Sequence, residues 1–138
     1  GGIAGGGYVS ETPQISSSAS LMESLTTNNS ILAGRITMAR NTDGSPKTDI
    51  SGLQGNIAFN GMFVNGLTVA DAATDPENDA NGLGKTAAQL ASQSTYESGL
   101  GWDFVNVWEM GPPAYPYPIL KWQNGVVSIP SGFELLSE

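Results

Sequence analysis

From Gly1 to about Val69 no apolar stretch runs far before a Gly, Asn or Ser interrupts it. That punctuation leaves no room for a long helix and room only for short extended segments joined by turns. Within it, Leu32, Gly34, Ile36 and Met38 fall on one parity, with Ala33, Arg35 and Thr37 on the other. Ile57, Phe59, Gly61 and Phe63 also share a parity, as do Ile15, Ala19, Leu21 and Leu25. Period-two alternation puts each set on one face of a strand.

An internal repeat runs through these segments. Gly2-Ile3-Ala4-Gly5 corresponds to Arg35-Ile36-Thr37-Met38, an offset of 33, and Ala19 to Leu25 corresponds to Ala58 to Val64, an offset of 39. The second copy carries a longer insert from Asn41 to Gly52. Gly-marked strands repeating at this length suggest supersecondary units stacked as in a solenoid. Residues 71–84 follow as an acidic loop. Then Thr86-Ala87-Ala88-Gln89 has the form of a capping box and predicts a short helix from about Ala87 to Gln93. Ser94-Thr95-Tyr96-Glu97 repeats that form, and Gly99 and Gly101 are placed to stop the helix. Beyond it, Trp102, Phe104, Trp108 and Met110 would form an aromatic face if extended. Gly111-Pro112-Pro113 is a turn, Ile119 to Trp122 a strand, and Asn124-Gly125 a hairpin signal. The last residues, 124–138, read as a final strand or tail.

Composition removes much chemistry. With no Cys and no His in 138 residues, thiol catalysis, a Ser-His-Asp triad and the usual zinc ligands are excluded for this chain. Five Lys and Arg against 13 Asp and Glu, a net charge of -8, argue against nucleic acid and anionic membranes as partners. No run approaches the ~18 apolar residues of a membrane span. Charged residues are 13%, about half the usual ~25%. With abundant Gly, Ser, Thr and Asn, that suits an extracellular β-rich protein. The start Gly1-Gly2-Ile3 is read as a cut through a longer chain. Asn28-Asn29-Ser30 matches a glycosylation sequon and is read as a turn.

The residues also carry a resemblance. Thr86 to Leu90, Ser94-Thr95-Tyr96, Gly101-Trp102-Asp103-Phe104, Val107-Trp108 and Tyr117 to Trp122 resemble, in that order, the C-terminal end of GLUG-motif repeat proteins. These occur on large bacterial surface proteins, especially in gut Bacteroidetes. Upstream, Gly2 to Gly5, Ala33 to Ile36 and Ala58 to Gly66 resemble degenerate repeats of the same family, with a departure at Thr37-Met38. The resemblance implies a β-solenoid-like stack in an adhesin-type surface protein, with no known catalytic residues to carry over; no cofactor is expected. Similar repeats flank the catalytic domain of bacterial immunoglobulin proteases as an accessory region.

The expectation is therefore one mainly β domain over residues 1–138. Solenoid-like rungs occupy 1–70, the acidic loop 71–84, and a short helix with an aromatic β segment closes the C-terminal end over 85–123. The expected function is non-catalytic adhesion or display at the cell surface or outside the cell. The alternatives are a carbohydrate-binding module, or an accessory domain of a secreted protease or glycan-degrading enzyme. The expected partners are a glycan or protein ligand reached through the parent molecule, and a second copy paired through the face at Gly1 to Gly5.

Candidate residues follow from chemistry. Trp102, Phe104, Trp108 and Trp122 are read as core, because large aromatics bury ~150–250 Å² each and fill small cores. Tyr115 and Tyr117, beside prolines, are read as exposed and as the place to seek a ligand surface. Asp103 and Glu109 are the best glycosidase-like pair. On a straight strand, however, they would lie ~20 Å apart at ~3.3 Å per residue, against the ~5–9.5 Å that glycoside hydrolysis uses. Asp75, Glu77, Asp79 and Asn81 alternate oxygen ligands before Gly82, like the first half of a calcium loop. The bidentate Glu of that loop would fall at Ala88, so a solvated acidic loop is expected and calcium is the alternative. Gly82 to Thr86 ends like a phosphate loop but lacks its first Gly and is read as a helix start.

Overall fold

The computed structural model describes residues 14–26, 34–37, 52–123, 127, 129 and 134–137. The described chain is mainly β, with ten strands of two or three residues in four small sheets and two short helices. No closed barrel or extended run of rungs forms among these residues.

Two strings of strands lie side by side. The first holds β1 (Ile15–Ser16), β2 (Ala19–Ser20) and β3 (Ser24–Leu25); the second holds β4 (Leu53–Gln54), β5 (Ile57–Phe59) and β6 (Phe63–Val64). Each strand pairs in parallel with its counterpart, Ile15 beside Leu53, Ala19 beside Ile57 and Ser24 beside Phe63. Parallel strands need a crossover connection rather than a hairpin between them. The first corner repeats as well. Ser17 (φ 49°) and Gly55 (φ 60°) both turn through the left-handed region, one at no steric cost and one as a non-Gly exception.

The repeat inferred from sequence meets the observed register at one of the three ladders, and its Gly2 to Gly5 part lies outside the described residues. Leu25 pairs with Val64, as the offset of 39 requires. Ala19 pairs with Ile57 rather than Ala58. The correction of one residue arises at the second corner, where the second string takes an extra residue through the turn at Asn60-Gly61. That turn also ends the predicted run of Ile57, Phe59, Gly61 and Phe63. Phe63 emerges exposed and Val64 buried.

The second string is covered differently at each strand. Beside β6 comes β7 (Leu67–Thr68), folded back antiparallel. Beside β5 lies β8 (Leu83–Lys85), parallel. Beside β4 sits a 3-10 turn, Pro76–Asn78: the Glu77 carbonyl accepts from Asn56 N at 2.7 Å, and Asn78 Oδ1 accepts from Gly55 N at 3.0 Å.

All of β5 is buried, because it lies between two apolar clusters. Ile57 and Phe59 face one with Met62, Val64, Leu90, Tyr96, Leu100, Phe104 and Tyr117. Ala58, on the opposite parity, faces Ile15, Ile36, Leu53 and Ala80. The segment 34–37 is a bend rather than the strand its alternation predicts. Arg35 and Ile36 are both fully buried, so neither parity faces water there.

The helical segment departs from expectation by one break. α1 (Ala87–Leu90) starts on the predicted capping box: Thr86 Oγ1 accepts from Gln89 N at 3.1 Å and Gln89 Oε1 accepts from Thr86 N at 2.9 Å. The chain breaks at Ala91-Ser92 and resumes as α2 (Gln93–Leu100). Gly101 ends it in the left-handed conformation (φ 72°), and Trp102 N reaches back to the Tyr96 carbonyl, while Gly99 stays inside the last turn. The aromatic stretch that follows is not one strand. Residues 104–107 turn, and only β9 (Trp108–Met110) and β10 (Pro118–Leu120) pair, antiparallel. Lys121–Gln123 is a 3-10 turn. The expectations for Gly1 to Gly5, Asn28-Asn29-Ser30, most of the insert Asn41 to Gly52, and Asn124-Gly125 lie outside the described residues. Of the last fifteen residues, none described is in a strand; Leu136 packs on the larger cluster and its amide donates to the Tyr117 hydroxyl at 3.1 Å.

Candidate functional site

The predicted site residues separate into three groups. The first is the aromatic end. Trp102 and Trp108 stack with centroids 4.4 Å apart, half-buried against the core. Tyr96 lies 5.2 Å from Trp102 and 6.5 Å from Phe104, which is buried. Trp102 Nε1 donates to the Ser17 carbonyl at 2.8 Å, tying the aromatic end to the first corner across 85 residues. Trp122 departs from its core reading. It is 75% exposed, because the 3-10 turn after β10 carries it off the sheet face. The tyrosines correct their reading too. Tyr117 is buried, Tyr115 is half-buried, and their rings meet edge to face at 5.3 Å. The turn is closed by Tyr115 N on the Pro112 carbonyl and Gly111 N on the Tyr117 carbonyl, which folds both rings inward. Tyr117 therefore offers no open ring face to a ligand.

The phenols respond to that burial. Loss of water around Tyr96 pushes its hydroxyl far above the ordinary tyrosine range, and the neighbouring Tyr117 and Tyr115 add to it. The Tyr96 hydroxyl donates to the Leu90 carbonyl at 2.6 Å. Tyr115 shifts upward for the same first reason, burial, with Tyr117 adding.

The second group is the carboxylates. Asp103 is committed to the turn: Oδ1 accepts from Val105 N and Asn106 N, both at 2.9 Å, and Oδ2 accepts from Asn106 Nδ2 at 2.9 Å. The bond from the Asn106 side chain, then that from its backbone, holds the Asp103 carboxyl below its ordinary range. A glycosidase acid needs the opposite shift. Of the acidic loop, Asp75 and Asp79 line an open cleft of ≈ 600 Å³ with Leu53, Gln54, Ala72, Thr74 and Asn78. Glu77 lines a smaller one of ≈ 320 Å³ beside Lys85 and Thr95. Asn81 turns away, its Oδ1 accepting from Arg35 N at 3.3 Å, and Asp79 Oδ1 accepts from Asn81 N at 2.9 Å. The four residues of the calcium reading therefore do not converge. Among the described residues no three acidic side chains gather to hold a metal. The 3-10 turn, entered through Asp75 at φ 48°, distributes them instead.

The third group was not foreseen. Arg35 is fully buried and spends its guanidinium on four oxygens: Asp71 Oδ1 at 2.5 Å and the carbonyls of Gly82, Asn81 and Phe59 at 2.8, 3.0 and 3.4 Å. Asp71 also accepts from Gly84 N at 2.9 and 3.0 Å. Asn56, also fully buried, donates to the Ile15 carbonyl at 2.9 Å and accepts from Ser18 N at 3.2 Å. Arg35 ties the segment 34–37 to Phe59, Asp71, Asn81 and Gly82, and Asn56 adds side-chain bonds between two strings that the backbone already pairs. The sequence signal for Arg35 is a cation on an apolar, Gly-bearing alternation in an acidic chain.

The aromatic end and the buried polar side chains hold the described elements together, while Glu77, Lys85 and Thr95 share the wall of the smaller cleft. In comparisons with known families, curated proteins and solved structures, the chain matches no family model, no curated protein and no solved structure.

Proposed function

We propose that this chain is the terminal, non-catalytic module of a bacterial surface or secreted protein of the GLUG-repeat type. In this reading it ends a β-solenoid-like stalk whose earlier layers precede β1, β2 and β3, and it serves adhesion or display. One observation carries the reading. Three parallel ladders in near-constant register are each covered, on the side of β4, β5 and β6, by an unlike element: a 3-10 turn, a parallel strand and an antiparallel hairpin. Stacked strands present edges that recruit further strands, and natural stacks end in atypical units that block them. The bond from Trp102 Nε1 to the Ser17 carbonyl supports the same role by fastening the aromatic end onto the first string.

Localisation is the first test. Antibodies raised to the chain should label intact cells of the source bacterium, and external protease should remove the label. Label that appears only after permeabilisation overturns the reading. Pairing of two copies through the face at Gly1 to Gly5 belongs to the same proposal; scattering that stays monomeric at high concentration removes that part.

A second reading, carbohydrate binding, draws on Trp122. Its ring is largely exposed, with Val105 and Val107 exposed on the neighbouring turn, and aromatic faces stack on sugar rings. On a glycan array, binding lost in Trp122→Ala favours it, and binding that persists moves any ligand surface elsewhere.

A further inference from the structure

We propose that Asn60 is a self-modifying site, losing its side-chain amide to attack by the Gly61 backbone nitrogen. The sequence holds four Asn-Gly pairs, at 60, 65, 81 and 124, the last outside the described residues. In an unfolded chain these pairs are chemically alike. The fold makes them unlike.

In the reaction the Gly61 nitrogen attacks Asn60 Cγ and closes a five-membered ring. The bond from Cγ to the side-chain nitrogen breaks, and ammonia leaves with the proton that the Gly61 amide loses. Water then opens the cyclic imide at either carbonyl, leaving aspartate or isoaspartate. The step needs only water, an accessible side chain, a free following amide and a backbone that lets the two approach.

Asn60 has the accessible side chain and the free following amide, and it lacks the left-handed φ that marks Asn65. It is exposed, and among the described residues its side chain and the Gly61 amide make no hydrogen bond; only its own backbone amide is used, donating to the Lys85 carbonyl at 3.0 Å. Its φ is not in the left-handed region. Asn81 fails on two counts. Its Oδ1 accepts from Arg35 N, and the nitrogen that would attack, Gly82 N, donates to the Asp79 carbonyl at 3.1 Å. Asn65 fails on geometry. It sits at φ 52° before Gly66 at φ 78°, the pair of left-handed residues of a two-residue hairpin between β6 and β7. In that conformation the following nitrogen lies nearly opposite the residue's own Cβ, far from its Cγ.

Packing explains why so labile a pair stands here. A β-carbon at Gly61 would sit 2.5 Å from Phe59 Cζ, so the corner accepts only Gly beside that buried ring. The same corner holds the extra residue of the second string. Isoaspartate there would add one more backbone atom to it, and either product adds a negative charge.

The test is incubation of the intact chain at mildly alkaline pH, followed by proteolysis and peptide mass mapping. Asn60 should convert about tenfold faster than Asn65 or Asn81 in the folded chain, and the three rates should converge in denaturant. The more acidic species that accumulates on ion exchange should be absent from Asn60→Ser. Equal native rates, a faster Asn65 or Asn81, or survival of the acidic species in Asn60→Ser overturns the proposal.

Discussion

The stacked strings and the aromatic end solve one problem by opposite means. Strands of two or three residues from 15 to 64 pair at long sequence separation, with Asn56 bonding across the two strings and Arg35 tying Phe59 to Asp71, Asn81 and Gly82. The segment from Thr86 to Leu120 is built from neighbours: a capping box, a left-handed stop at Gly101, a carboxylate-closed turn at Asp103 and a short antiparallel pair. The first region closes long loops before any contact forms, so it depends on strong links at the end. The second is held by local bonds and then docks its rings. Long-range layers with little apolar area per strand therefore need buried polar links, whereas a locally specified segment needs only a hydrophobic face.

The sharpest way to break this contrast is Arg35→Ala. Removing the guanidinium leaves the Asp71 carboxylate, which is 35% exposed, and three carbonyls short of a partner, and each buried acceptor left unsatisfied costs about 1–3 kcal/mol. Urea unfolding should show that loss. Hydrogen exchange should show it first in residues 53–64 and 80–84, with α1 and α2 following less. Equal loss of protection in both regions would mean one cooperative unit and would erase the distinction.

Next comes Tyr96→Phe, which removes the bond to the Leu90 carbonyl from the buried face of the aromatic end and should cost about 1–2 kcal/mol at neutral pH. The phenol adds a pH signature. Burial raises its folded value, so its contribution is intact below the unfolded value of about 10. Above that, the unfolded chain releases a proton that the folded chain keeps, and stability falls as pH rises towards the folded value. The alkaline decline should flatten in Tyr96→Phe, with Tyr115 leaving a smaller slope of the same sign. An unchanged decline, followed by denaturant midpoint against pH, would put the sensitivity elsewhere.

Thr86→Ala tests the local side of the comparison. It deletes one half of the capping box and should cost about 1 kcal/mol. Exchange should quicken at Gln89 and Leu90 while the parallel ladders hold. Equal quickening at Ile57 would show that the helix start nucleates the layers as well.

Legibility follows the same divide. The box at Thr86 and Gln89 and the stop at Gly101 were readable because each is settled within a few residues. The pairing of Leu25 with Val64 was readable because spacing repeats. The one-residue slip at Ala19 was not, since it depends on how the corner at Asn60-Gly61 passes the Phe59 ring. Nor was the burial of Arg35, whose oxygens come from four places along the chain. The calcium alternative gains no support, because alternating oxygens converge only if the backbone curls around them, and among the described residues no three acidic side chains gather there. Tyr117 and Trp122 exchanged roles for a similar reason: which ring docks is decided by the turns that flank β10.

The smallest expected effect sharpens the comparison most economically. Trp122 and Trp102 are the same residue type in the same segment, yet one is 75% exposed and the other stacks on Trp108 and bonds to Ser17. Trp122→Ala should change stability by no more than about 0.5 kcal/mol, the range of surface substitutions. Trp102→Ala should cost several times more, since it loses a half-buried stack against the core and leaves the Ser17 carbonyl without its donor. Parallel urea curves measure both. If the two variants fall equally, the ring of Trp122 is packed in solution and the sugar-stacking reading loses its platform. If they differ as expected, any binding lost in Trp122→Ala reports recognition rather than unfolding.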